Sequence, residues 1–178
     1  MFGAVKPTRA QLLAEFGDVA HDLPALLTAP LYRRWLVQVG CLRGGFYSND
    51  LLDNLGQPSA TVLVPDLQHL EVGQWIPMSP APTPTDRTAF KVHSFEAERW
   101  LLWAKPDSTW SWQLTPGYHD TTRLVTRVRA AYDWRHPLTA LFGVILMEFG
   151  DFAMQRRMLR GIQARAESLV VAAAKVAS

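Results

Sequence analysis

Arg135-His136-Pro137 leads into the apolar run Leu138 to Met147, then Glu148-Phe149-Gly150-Asp151-Phe152, then Met154-Gln155-Arg156-Arg157-Met158-Leu159-Arg160-Gly161-Ile162. No proline interrupts this stretch after Pro137, and a proline is accepted in a first helical turn. Apolar residues recur at three and four: Phe142, Ile145, Leu146, Phe149, Phe152, Ala153, then Met158, Leu159 and Ile162. That spacing predicts one long amphipathic helix over 135–174, with a bend near Gly150. Its first half is apolar nearly all round, so it needs a broad apolar surface to lie on. The residues before it supply strands, and together they predict an α+β domain in which a curved antiparallel sheet grips the helix.

Upstream, the alternation is that of strands. Phe90, Val92 and Ser94 share one face against Lys91 and His93. Arg99 to Lys105 is apolar on both faces, Trp110, Trp112 and Leu114 alternate with Ser111 and Gln113, and Leu124, Thr126 and Val128 alternate with Arg123, Arg127 and Arg129. Turns at Lys105 to Ser108 and Pro116 to Asp120 join them into an antiparallel meander with one wet face. Val72 to Met78 reads as a further short strand. Ala29-Pro30 opens a helix with Leu31, Trp35, Leu36 and Val39 on one face, stopped by Gly40. Ser48 or Asn49 can cap a short helix through Leu51, Leu52 and Leu55. Residues 1–28 are the least regular: Thr8 to Phe16 reads as a short helix, and Leu23 to Thr28 as a residual strand.

The chain has 178 residues, 48% hydrophobic and 19% charged, which fits a single folded domain spanning 1–178. A net charge of +2, with arginines scattered, gives no footprint for nucleic acid. The lone Cys41 excludes an internal disulfide and suits a reducing, cytoplasmic setting. No signal-peptide pattern opens the chain, and Leu138 to Met147 is too short to span a bilayer. Five of the seven tryptophans fall between Trp75 and Trp112, a density that lines a core or a ligand cavity.

Four stretches carry a family likeness. They are Trp35 to Gly40 leading into Arg43-Gly44-Gly45-Phe46-Tyr47-Ser48, Asp50 and Asp53-Asn54-Leu55; Val64-Pro65-Asp66-Leu67-Gln68-His69-Leu70-Glu71-Val72-Gly73; Arg123-Leu124-Val125-Thr126-Arg127; and Phe152, Met154 and Arg156 to Ile162. On these the chain resembles the polyketide cyclase/dehydrase-like members of the START-related (SRPBCC, Bet v 1-like) superfamily, particularly bacterial ones, over roughly Ala29 to Glu167. The resemblance implies a helix-grip fold with an apolar cavity between sheet and C-terminal helix. The chain departs from the pattern at its first strand, which is shortened to Leu23–Thr28 or absent, and in placing Arg33-Arg34 before Trp35.

Three functions follow as expectations. The first is binding of a small hydrophobic molecule (a lipid, polyketide or aromatic metabolite) without a cofactor. Phe90, Val92, Trp110, Trp112, Phe142, Ile145 and Phe149 would line the cavity, with Arg43 and Tyr47 as polar anchors. Alternatively, Arg43 and Asp50 simply pair beneath Tyr47. The second is a cyclase or dehydrase that relies on cavity shape and one acid/base group, Glu148 or Asp50. Glu148 and Asp151, three apart on the helix, can instead pair with Arg127, Arg129 or Arg156. The third is an interaction module or homodimer joined through an open sheet edge. None of the five histidines has metal-ligand spacing with another.

Overall fold

The computed structural model describes residues 29–117, 121–132, 135, 138, 141, 144 and 150–176. The expected first strand and the candidates Phe142, Ile145, Glu148 and Phe149 lie outside these residues.

The chain forms helix α1 (Ala29–Val37) and a four-residue helix α2 (Asp50–Asp53). After them come strands β1 (Trp75–Pro77), β2 (Ala89–Glu96), β3 (Trp100–Lys105), β4 (Ser108–Pro116) and β5 (Thr122–Ala130), then helix α3 (Phe152–Val176). The α+β class and the strand-then-helix order match the sequence pattern. The five strands make one antiparallel sheet in the order β1-β2-β3-β4-β5, each paired to its neighbour in sequence.

The middle of the sheet is aromatic because inward positions meet across strands. Trp103 on β3 stands opposite Trp110 on β4, and Leu101 opposite Trp112. Trp110 and Trp112 stack at 4.9 Å, and Trp103 meets both edge-on at 5.5 and 5.6 Å. On β5, Leu124 and Val128 pack against this core, while Arg123, Arg127 and Arg129 face outward.

Strand β2 departs from simple alternation. The pairing with β3 slips between Val92 and Ser94. One extra residue, His93, resets the pleat, so Phe95 rather than Ser94 reaches the core.

Helix α1 is buried at its C-terminal end on more than one face: Trp35, Leu36, Val37 and the following Gln38 and Val39 are all inaccessible. Gln38 is tolerated there because its amide is used on both sides: Oε1 accepts from Val64 N and from Gln68 Nε2, each at 3.1 Å, and Nε2 donates to Val62 O at 3.4 Å.

Helix α3 carries a stripe of Met158, Ile162 and Ala166, spaced by four and buried, opposite an exposed face of Arg156, Arg157, Arg160 and Glu167. Phe152 was expected within the apolar stripe but is 65% exposed, because two residues of helix place it nearly opposite Met154. Gly150 and Asp151 take the wider π-helical turn at the predicted bend. The described part of α3 packs on α1 and on the loop that follows it. Among the described residues no helix is long and apolar enough to cross a membrane.

Candidate functional site

Gly40 and Gly45 pair by two reciprocal backbone hydrogen bonds of 3.1 Å, closing a tight loop after α1. Gly45 has φ +76, and a Cβ there would lie 2.8 Å from Ser59 Cβ, so only glycine fits. Arg43 reaches back from this loop. Its guanidinium donates to Val37 O at 3.1 Å and Trp75 O at 3.2 Å, tying the free C-terminal carbonyl of α1 to β1. Desolvation holds the Arg43 pKa below its ordinary value, with the Tyr47 side chain pulling the other way.

The expected Arg43–Asp50 ion pair does not form. Asp50 accepts instead from Ser59 Oγ, and Ser59 Oγ in turn accepts from Tyr47 N at 3.0 Å. Tyr47 is buried, with its hydroxyl donating to Trp35 O at 3.1 Å. Burial pushes that phenol up to about 12, against smaller lowering effects from Gln38, Arg165 and Arg43. Arg43, Tyr47 and Asp50 are therefore committed to the architecture of the loop. Phe90, Val92 and Trp112 are buried in the aromatic core, and of the described residues expected to line the cavity Trp110 faces the larger space.

That cavity lies where the loop, β1, β4 and the start of α3 converge. It measures about 190 Å³. Its apolar wall is Phe46 from the loop, Met78 just after β1, Trp110, and Met154 and Met158 from α3. Its polar residues are Ser48, Asp53, Asp151 and Gln155. Asp53 ends α2, and its Oδ2 accepts from Ser48 Oγ and from Asn49 N, which fixes the carboxylate. Its other oxygen is buried with no hydrogen-bond partner. Asp151 accepts from Gln155 Nε2 one helical turn on, and no cation pairs with it among the described residues, Arg156 included. Trp110 has its indole N–H committed to Thr126 Oγ1 at 2.7 Å, so it contributes ring surface to the wall.

The electrostatics follow from this composition. Burial raises the Asp151 carboxyl above its ordinary value, and the Gln155 bond only partly offsets it. The Cys41 thiol, buried next to the loop, is raised first by desolvation and then by the Asp53 charge, which leaves it an inert packed group. Chemically the cavity offers apolar surface, hydrogen-bond acceptors and one carboxyl with an elevated affinity for a proton.

The raised Asp151 pKa carries a stability consequence. The folded state holds this proton more tightly than the unfolded chain, so stability from this group is full at low pH and lost as pH rises through the folded pKa. Asp151→Asn, which keeps a hydrogen-bonding partner for Gln155, is expected to raise the urea midpoint at neutral pH. The gain should vanish by about pH 4, where aspartate is ordinarily half protonated. Equal midpoint differences at both pH values would show that burial of this carboxylate has no cost.

Asp53, Ser48, Met78, Met154, Gln155 and Met158 were not among the expected site residues. One signal was present in the sequence: Asp151, Met154, Gln155 and Met158 follow the spacing of three, four and seven that places them on one helical face. A second, much smaller space of about 20 Å³ lies at the far end of the sheet beside Trp112, Leu114 and Leu70, with room for about one water. Among the described residues no three His, Cys, Asp or Glu side chains gather as a metal site. Comparison with known protein families, with curated proteins and with solved structures found no match to this chain, so its functional reading rests on this cavity.

Proposed function

We propose that the protein binds a small hydrophobic molecule in the cavity between the start of α3 and the sheet, and that the chain is a START-related helix-grip domain. The element order, sheet before C-terminal helix, supports the second part. The cavity itself carries the first: an apolar wall from four separate parts of the chain surrounds a space with a few convergent polar groups, the usual make-up of a small-molecule site.

Its size narrows the ligand class. An apolar cavity of about 150 Å³ admits benzene, so about 190 Å³ suits a single aromatic ring with a short substituent. A lipid chain or an extended polyketide would have to project beyond it.

The methionines report on this directly. Of the five in the chain, Met78, Met154 and Met158 line the cavity. In protein labelled at the methionine methyl groups, single-ring aromatic compounds are expected to shift those three resonances and leave Met1 in place. Met154→Trp, which fills the space from its wall, should abolish the shifts while the protein stays folded. If a saturating panel of such compounds moves none of the three signals, the cavity is not a binding site.

A further inference from the structure

We propose that the cavity selects organic cations: its preferred ligand is an apolar amine, carried as an ammonium group on a ring-sized body. This rests on the reading of the cavity as a binding site and names the ligand's charge.

The argument is one of donors and acceptors. Each described lining side chain able to donate a hydrogen bond already gives one to a neighbour, and the Gln155 amide keeps its second N–H. Ser48 Oγ gives its proton to Asp53, Gln155 Nε2 gives one to Asp151, and the Trp110 N–H goes to Thr126. What the cavity presents inward is acceptor capacity. Two carboxylates line it, from α2 and from the start of α3, and among the described residues its lining has no Lys, Arg or His. The free oxygen of Asp53 is shielded from the space, so Asp53 contributes nearby negative charge, while Asp151 is half-buried and has no ion pair among the described residues. A carboxylate that has lost part of its water is best matched by a charge-assisted partner. The remaining wall adds to the same preference, since aromatic faces attract cations and thioethers are polarisable. An anionic ligand, such as a fatty or aromatic acid, would meet two like charges.

A divalent metal ion fits these groups less well. It needs six or more oxygen ligands for calcium, or octahedral oxygens for magnesium, whereas five of the nine described lining residues are apolar.

The test compares three probes of one shape: phenethylamine, phenethyl alcohol and phenylacetate, titrated by calorimetry into the parent protein, Asp53→Asn and Asp151→Asn. The amine is expected to bind about tenfold or more tightly than the alcohol, and the acid not measurably. Asp151→Asn should cut amine affinity several-fold and leave the alcohol unchanged. Asp53→Asn should do the same, and its fold is checked independently because Asp53 also holds Ser48 and Asn49. Amine affinity should fall as pH drops through the Asp151 pKa, since protonation removes the charge; Asp53 is the other carboxyl on the described lining. If the alcohol binds as well as the amine, the charge preference is wrong while the binding site stands. If none of the three binds, the reading of the cavity itself fails. Calcium chloride added at millimolar concentration should not displace the amine, and displacement would assign the carboxylates to a metal.

Discussion

Replacing Trp103 by alanine is expected to cost about 3–5 kcal/mol, the range for removing a large aromatic from a packed core. Trp103 sits on β3, the middle strand, and is 0% exposed. Its ring is the edge-on partner of both Trp110 and Trp112, so its loss removes two aromatic contacts together with its buried area. The two neighbouring strands, β2 and β4, hold the hole open. Domains of this kind carry about 5–15 kcal/mol in all, so the variant should be partly unfolded at ambient temperature. Trp103→Phe supplies the contrast. The indole N–H of Trp103 has no hydrogen-bond partner, so phenylalanine gives up ring area but strands no acceptor. Its cost should be less than half that of alanine. Urea unfolding followed by far-UV circular dichroism measures both. An alanine variant within about 1 kcal/mol of the parent would mean that the tryptophan cluster is not the core of the domain.

Gly161→Ala is expected to destabilise by about 2 kcal/mol, although alanine is the better helix former by about 1 kcal/mol. The sign is set by packing. A Cβ at position 161 would lie 2.8 Å from Tyr47 Cβ and closer still to the Tyr47 carbonyl oxygen. Tyr47 cannot retreat easily: its φ is +58, its N–H is held by Ser59 and its hydroxyl by Trp35. On the other side Arg165 lies over the Tyr47 ring at 4.6 Å and donates to Ala60 O at 2.9 Å. The helix must therefore lift from the loop, and the cavity wall lifts with it. Gln163→Ala, two residues away on the exposed face, is the matched control and should be neutral or slightly stabilising. A stabilised Gly161→Ala protein would show that α3 does not rest on the loop as described.

Much of this fold was legible in the residues. The alternation of Trp110, Trp112 and Leu114 against Ser111 and Gln113 gave β4 its inward face, and the arginines of β5 marked its outward one. Those signals are local and have one solution. The slip at His93 was not legible, because a bulge leaves composition unchanged and only the partner strand defines it. A short helix was expected through Leu51, Leu52 and Leu55; it spans Asp50–Asp53, and all three leucines are more than half exposed. A helix of four residues presents no continuous stripe, so periodicity there carries little weight. Arg43 and Tyr47 were recognised as unusual, but their partners are backbone carbonyls, which the sequence does not distinguish. The cavity needed four separate segments to be brought together. Asp151 stood out as a carboxylate on an apolar helix, whereas Asp53 became visible only once α2 was placed against it.

The connectivity of the sheet has a consequence for the order of folding. Every strand pairs with the one before it, so the sheet can zip from turn to turn at small loop-closure cost. The hydrogen bond from Arg165 to Ala60 instead joins positions 105 residues apart, with the whole sheet between them. On a ribosome, β1 to β5 therefore emerge well before the helix that covers Phe46 and Tyr47. For that interval the sheet is complete while Phe46 and Tyr47 are uncovered, the state in which a nascent chain most needs a chaperone. Docking of α3 then follows the sheet, and the cavity comes into being with it.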